Sequence, residues 1–232
     1  MGRELIRALD KENQGCLFIA HYHSSAEALE AIPLREGNAL MPVRADLSDD
    51  EDVESLIRQV QSVCDAPTHI VHLAARPFRY MKLKEFDADS LRIDIDIQVC
   101  SFMHIMQVFL PVMAKRRAHN KVVVVTSYVV ERPPRFMADY IITKHALLGA
   151  VRAVAADYAG KAVNINALSP SMVETKFLQN VDSRIVQMTA AGSPGGRNAT
   201  PADIVPAAVF LLSDGANYIH GENLCVTNGS TV

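Results

Sequence analysis

Short apolar runs alternate along the chain with longer segments whose apolar residues recur at helical spacing. Residues 16–22, CLFIAHY, form the first strand-like run, and a helical segment starts at Ala26. Residues 40–45 are extended, and the acidic cluster 46–52 caps a helix running to about Ser62. Residues 69–73 read as a further short strand. A helical pattern over about 87–113 leads into 121–126, whose consecutive valines mark a strand covered on both faces. A helix over 139–158 follows, then a strand over 163–168, a helix over 201–212 and a last strand over 224–226. This alternation predicts a doubly wound α/β fold, a mostly parallel sheet with helices on both faces, in one domain over 1–232. Segment 171–200 breaks the rhythm. It is long and interrupted by Gly192, Pro194, Gly195 and Gly196, which predicts a substrate loop.

Composition changes this picture little. Apolar residues make up 49% and charged residues 21%, as in an ordinary globular chain. Lys and Arg total 23 against 26 acidic residues, with no basic block, so the electrostatic footprint of a nucleic-acid binder is missing. Cys16, Cys64, Cys100 and Cys225 are scattered without ligand spacing, which reads as reduced thiols in a cytoplasmic protein. The first residues, MGRELIR, carry charges where a signal peptide needs an apolar run. The uncharged stretch 97–114 has the length of a membrane span. However, Gln98, Ser101, His104 and Gln107 put a polar stripe along it and Pro111 interrupts it, so it reads as a soluble helix buried on most of its circumference. The pairs His21/His23 and His69/His72 lack a carboxylate or cysteine to complete a metal site. Lys115, Arg116 and Arg117 read as the cap of a helix C-terminus.

The chemistry is suggested by Tyr140 and Lys144, four residues apart on one face of a helix. Alone, such a pair is as readily an ordinary surface contact. Ser127 alters the balance, because it ends the valine strand, where a parallel sheet opens into its ligand crevice.

Taken together, these residues resemble the classical short-chain dehydrogenase/reductase family. The match rests on Ser127, on YIITK from Tyr140 to Lys144, and on NALSP from Asn166 to Pro170 with Thr175. It continues through Gly196, Arg197, the Pro201–Ile204 turn, Gly221, Asn228 and Gly229, and upstream through ADLSD from Ala45 to Asp49. The flavour is nearest that of 3-oxoacyl-carrier-protein reductases. The resemblance implies hydride transfer between a nicotinamide cofactor and a carbonyl or secondary alcohol, acyl thioesters included, with Ser127, Tyr140 and Lys144 catalytic and Gln98 in support. It implies that Gly2, Ala74, Ala75, Pro170, Val173 and Thr175 contact the cofactor, that Asp46 and Leu47 form the adenine-side turn, and that Tyr140 and Lys144 also hold the nicotinamide ribose. A free tyrosine titrates near ~10. A Lys144 ammonium and an oxidised nicotinamide would lower that value. No carboxylate follows Tyr22 until Glu27; His23, Ser24 and Ser25 can donate to a 2′-phosphate, which favours NADP over NAD. The alternative for these residues is an ordinary polar turn in which Ser24 or Ser25 caps the next helix. The family pattern also implies a homodimer or homotetramer through helices 87–113 and 139–158.

The chain departs from the pattern at several points. The glycine-rich turn is represented only by its tail at Gly2, which leads to the expectation of an apolar strand upstream of Met1. Ala75 replaces a glycine, Gln98 replaces an asparagine, and Ser171 stands where glycine is usual. These changes keep a rival open, a non-catalytic relative serving as a binding or assembly subunit. Met172, Val173, Phe177, Leu178 and Met188 are candidates either for an apolar substrate wall or for burial of the loop itself.

Overall fold

Four consecutive valines leave a strand no face for solvent, and they sit where such a strand belongs. The computed structural model describes every residue except Arg79, Arg117, His119 and Val232. In it, β4 (Asn120–Val125) is buried along its whole length. Side chains alternate across a strand. Val122 and Val124 therefore join one core with Phe102, Met106, Phe109 and Leu147. Val123 and Val125 join a second with Leu5, Ile204, Val205 and Leu211. Helices α3 (Asp50–Gln61), α5 (Ser101–Met113) and α6 (Ala138–Asp157) cover the first face, and α1 (Gly2–Glu12) and α8 (Pro201–Leu212) cover the second. This is the doubly wound α/β architecture.

The strands divide into two parallel sheets. β3 (His69–His72), β4, β5 (Val163–Pro170) and β6 (Asn223–Val226) pair in that order. β1 (Leu17–Tyr22) and β2 (Ala39–Arg44) pair with each other, Tyr22 opposite Arg44. Among the described residues no ladder joins β1 to β3. The sheets meet instead through the first core, against which Ile19 and Met41 from one and Ile70 from the other all pack.

Several local expectations change. The long helical pattern is two helices, α4 (Ala88–Ile95) and α5, joined by a π-helical turn over Asp96–Cys100. Phe102, Met106, Phe109 and Leu110 turn inward. Only a third of its most apolar window is buried, though, so the helix is covered on less of its circumference than its composition suggests. It is the one helix among the described residues long and apolar enough to cross a membrane, a test that core helices of soluble proteins also pass. The segment starting at Ala26 supports only the single turn α2 (Glu27–Glu30). Segment 171–200 is partly ordered, with a 3₁₀ turn over Lys176–Leu178 and the helix α7 (Ser183–Gly192), capped by Asp182 accepting from Arg184 N. Arg116 caps no helix; it donates to the Pro67 and Ala66 carbonyls ahead of β3, while Arg117 lies outside the described residues.

Phe109 is 1% exposed at the centre of the first core. Phe109→Ala should lower unfolding free energy by about 3–5 kcal/mol, read as a shift in the urea midpoint at unchanged slope.

Candidate active site

The carboxyl ends of β4 and β5 open into a cleft of about 810 Å³. Ser127 enters it directly after β4, where its Oγ caps a 3₁₀ turn by accepting from Val129 N at 3.4 Å. The first two turns of α6 bring Tyr140 and Lys144 to the same place. Lys144 is 3% exposed; its Nζ donates to Val125 O at 3.1 Å and lies 5.7 Å from the centre of the Tyr140 ring. The Ser127 side chain lies close enough to the Tyr140 phenol to favour its ionised form. The three residues the sequence singled out thus converge.

Their protonation differs from expectation. Burial pushes the Tyr140 phenol up to about 12, against the opposing pull of the Ser127 side chain. Burial likewise brings Lys144 down to about 7, partly offset by Asp94. Desolvation disfavours the charged form of each, and it outweighs Ser127 at the phenol and Asp94 at the lysine. The phenol therefore holds its proton near neutrality, and Lys144 is poised to lose one. Asp94 is itself held by Arg76, whose Nε donates to it at 2.9 Å while Nη2 reaches Ser90 O and Oγ.

Other candidates divide between the cleft and its surroundings. Gly2, Ser25, Ala75, Pro170, Val173 and Thr175 line it. Thr175 also accepts from Phe177 N at 3.3 Å, capping the 3₁₀ turn. His23, Ser24, Asp46, Leu47 and Ala74 are not in its lining. His23 lies 3.7 Å from the Asp46 carboxylate, Asp46 accepts from Ser48 N and Oγ, and Leu47 is buried in the first core. Gln98 is 1% exposed in the π-helical turn, with no partner for its Oε1. His72 Nε2 donates to the Gln98 carbonyl at 3.0 Å and so ties β3 to that turn. His21 and His69 also bond to backbone carbonyls, of Ala45 and Leu212, and among the described residues no group of three or more metal-ligating side chains forms.

Sequence reasoning missed two features. Arg44, opposite Tyr22 at the end of β2, points its Nε at His23 O, 3.4 Å away, and forms no ion pair among the described residues. Phe78 lies 5.0 Å from the Tyr140 ring and 5.5 Å from Phe177. Met172, Val173, Phe177 and Leu178 do wall the cleft, whereas Met188 is 74% exposed and does neither task proposed for it.

A dinucleotide cofactor fits this arrangement. The N-terminus of α1 faces the cleft at Gly2 and Arg3, and no side chain caps it, which leaves N–H groups and the positive helix end for a pyrophosphate. From there the cleft runs to Lys144 and Tyr140.

The chain is similar to known proteins along almost its whole length. The family model described as enoyl-(acyl carrier protein) reductase matches residues 1–231. A 2,5-dichloro-2,5-cyclohexadiene-1,4-diol dehydrogenase of Sphingobium indicum is 29% identical, over 88% of this chain and 83% of its own. A 3-oxoacyl-[acyl-carrier-protein] reductase of Staphylococcus aureus is 24% identical, over 99% of this chain and 93% of its own. Among solved structures, a gluconate 5-dehydrogenase from Burkholderia cenocepacia, in complex with NADP and tartrate, superposes with a TM-score of 0.84 at 22% identity. That match covers 99% of this chain and 90% of the other.

Burial pushes His72 down from 6.5 to about 4. An unfolded histidine keeps its ordinary value, so the stability His72 contributes is complete above about 6.5 and is lost as pH falls toward 4. Urea midpoints of His72→Asn should therefore fall less steeply between these pH values than those of the parent, by up to about 3 kcal/mol.

Proposed function

The chain belongs to the short-chain dehydrogenase/reductase family, and on that footing we propose that it interconverts a carbonyl and a secondary alcohol, using NADP and a Ser127–Tyr140–Lys144 group. The observation that carries this reading is the meeting of these three side chains in one cleft, with the phenol protonated near neutral pH. When bound, the nicotinamide supplies or accepts the hydride. Ser127 Oγ holds the substrate oxygen by a hydrogen bond. Tyr140 Oη gives its proton to that oxygen as negative charge develops on it. Lys144 steadies the resulting phenolate and anchors the nicotinamide ribose. Gln98 supports Lys144 from the π-helical turn. Gly2, Ala75, Pro170, Val173 and Thr175 line the dinucleotide's path. Ring diols and 3-oxoacyl thioesters, named for two of the relatives, are both alcohol–carbonyl couples of this kind.

Preference for NADP draws on the end of β1, where the sequence supplies no carboxylate directly after Tyr22 and Arg44, which forms no ion pair among the described residues, donates to His23 O. Oligomerisation through α4–α5 and α6 is supported by the exposed Ile93 and Met103 on the first and Ile142 on the second. A cytoplasmic location suits the scattered free thiols.

Tyr140→Phe removes the proton donor and spares the packing. Turnover should fall about a hundredfold or more with an unchanged melting temperature; near-parental turnover would overturn the mechanism. Arg44→Ala should narrow the preference for NADPH over NADH about tenfold, measured as the ratio of the two dissociation constants by fluorescence titration. An unchanged ratio would remove Arg44 from the 2′-phosphate site.

A further inference from the structure

The catalytic end of the cleft is aromatic far beyond the chain's average. Only 6% of the residues are Phe or Tyr, yet Phe78, Tyr80, Tyr128, Tyr140 and Phe177 all line this one cleft. Phe78 is the hub. Its ring centre lies 5.0 Å from Tyr140, 5.5 Å from Phe177 and 5.7 Å from Tyr80. Tyr140 and Phe177 are themselves 6.2 Å apart.

These rings are held in place before any substrate arrives. The segment carrying Phe78 is pinned on one side by Arg76, bonded to Asp94 and Ser90. On the other side Met81 N donates to Phe136 O at 2.8 Å, and the Met81 side chain is buried. Phe177 rides on the 3₁₀ turn that Thr175 caps.

Charge around this wall is balanced. Arg76 is neutralised by Asp94, and the exposed Glu174 and Lys176 carry opposite signs. Among the described residues, Arg76 is engaged by Asp94 and Lys144 by Val125 O, and Lys176 is open to solvent, so none of the three is presented as a clamp for a substrate carboxylate or phosphate. Aromatic faces reward flat, apolar surface and offer a polyol little hydrogen bonding in return for desolvation. A long flexible acyl arm gains little from a wall of fixed rings and gives up more conformational freedom when ordered.

We propose that the substrate is a neutral, compact ring ketone, or the matching ring alcohol, seated against Phe78 and Phe177 beside Ser127 and Tyr140. This rests on the carbonyl–alcohol reading above. In the reducing direction the carbonyl carbon gains a hydride as a new C–H bond, and the C=O π pair moves to oxygen, which takes the Tyr140 proton. The balance is closed by oxidation of a reduced nicotinamide, and a solvent proton restores the phenol.

The full chain with NADPH is assayed against cyclohexanone and 2-tetralone, acetoacetyl-N-acetylcysteamine, and the ketohexose fructose. Binding of each carbonyl without cofactor is followed in parallel by calorimetry. The ring ketones should show kcat/KM at least about tenfold above the thioester and the ketohexose, and they should bind measurably on their own. In Phe78→Ala, ring-ketone KM and Kd should each rise about fivefold, and the selectivity over the thioester should shrink. Phe177→Leu, which keeps the volume, should do the same if the alanine variant folds poorly. Higher kcat/KM for the thioester or the ketohexose, or ring binding indifferent to both substitutions, would overturn the proposal. Ring binding that depends on Phe78 without reduction of any carbonyl would uphold the recognition and overturn the carbonyl–alcohol reading instead.

Discussion

A buried ammonium on a single carbonyl organises this molecule. Lys144 reaches from the second turn of α6 to the last residue of β4 and donates to Val125 O. An ionised lysine away from water is costly unless it is neutralised or hydrogen-bonded. The bond to Val125 fixes where the helix stops along the strand. Tyr140, one turn earlier, is then delivered to Ser127, which follows Val125 by two residues. Asp94, anchored by Arg76, supplies the nearest opposing charge from α4. Helix, strand end and loop are thereby set by one another, so the donor, the acceptor and the cation are in place before a substrate binds. Such preorganisation is what makes electrostatic stabilisation effective at a reacting oxygen.

What could be read from the sequence follows from which forces act locally. β4 was legible because burial on both faces leaves a continuous apolar run, and the Tyr140–Lys144 pair because helical spacing alone puts both on one face. Part of the first core was legible in 97–114, read as a helix buried on most of its circumference, since Phe102, Met106 and Phe109 from it do enter that core. Arg44 was not, since only the parallel register of β1 with β2 brings it opposite Tyr22. Phe78 was hidden for the same reason; it belongs to an irregular segment that Arg76 and Met81 position through distant partners. Helix α7 buries none of its residues, so it left no apolar period to detect. The burial that raises the phenol was not legible, because sequence shows neighbouring charges but not desolvation.

The π-helical turn carries a consequence for the geometry of everything ahead of it. A turn of this kind holds one residue more than an α-helical turn, so the two helices it joins are out of phase by one position. Each α-helical residue advances about 100° around the axis. Were Asp96–Cys100 to close into regular α-helical turns with every residue kept, the ladder would heal into one regular helix while α5 stayed seated in the first core. That closure would also swing the whole of α4 by roughly that angle. Asp94 would leave Arg76 and Lys144 for another face, and Ser90 would leave the guanidinium with it. The irregularity is thus a phase shifter: it lets one end of a helix obey the packing of the core while the other end obeys the electrostatics of the cleft.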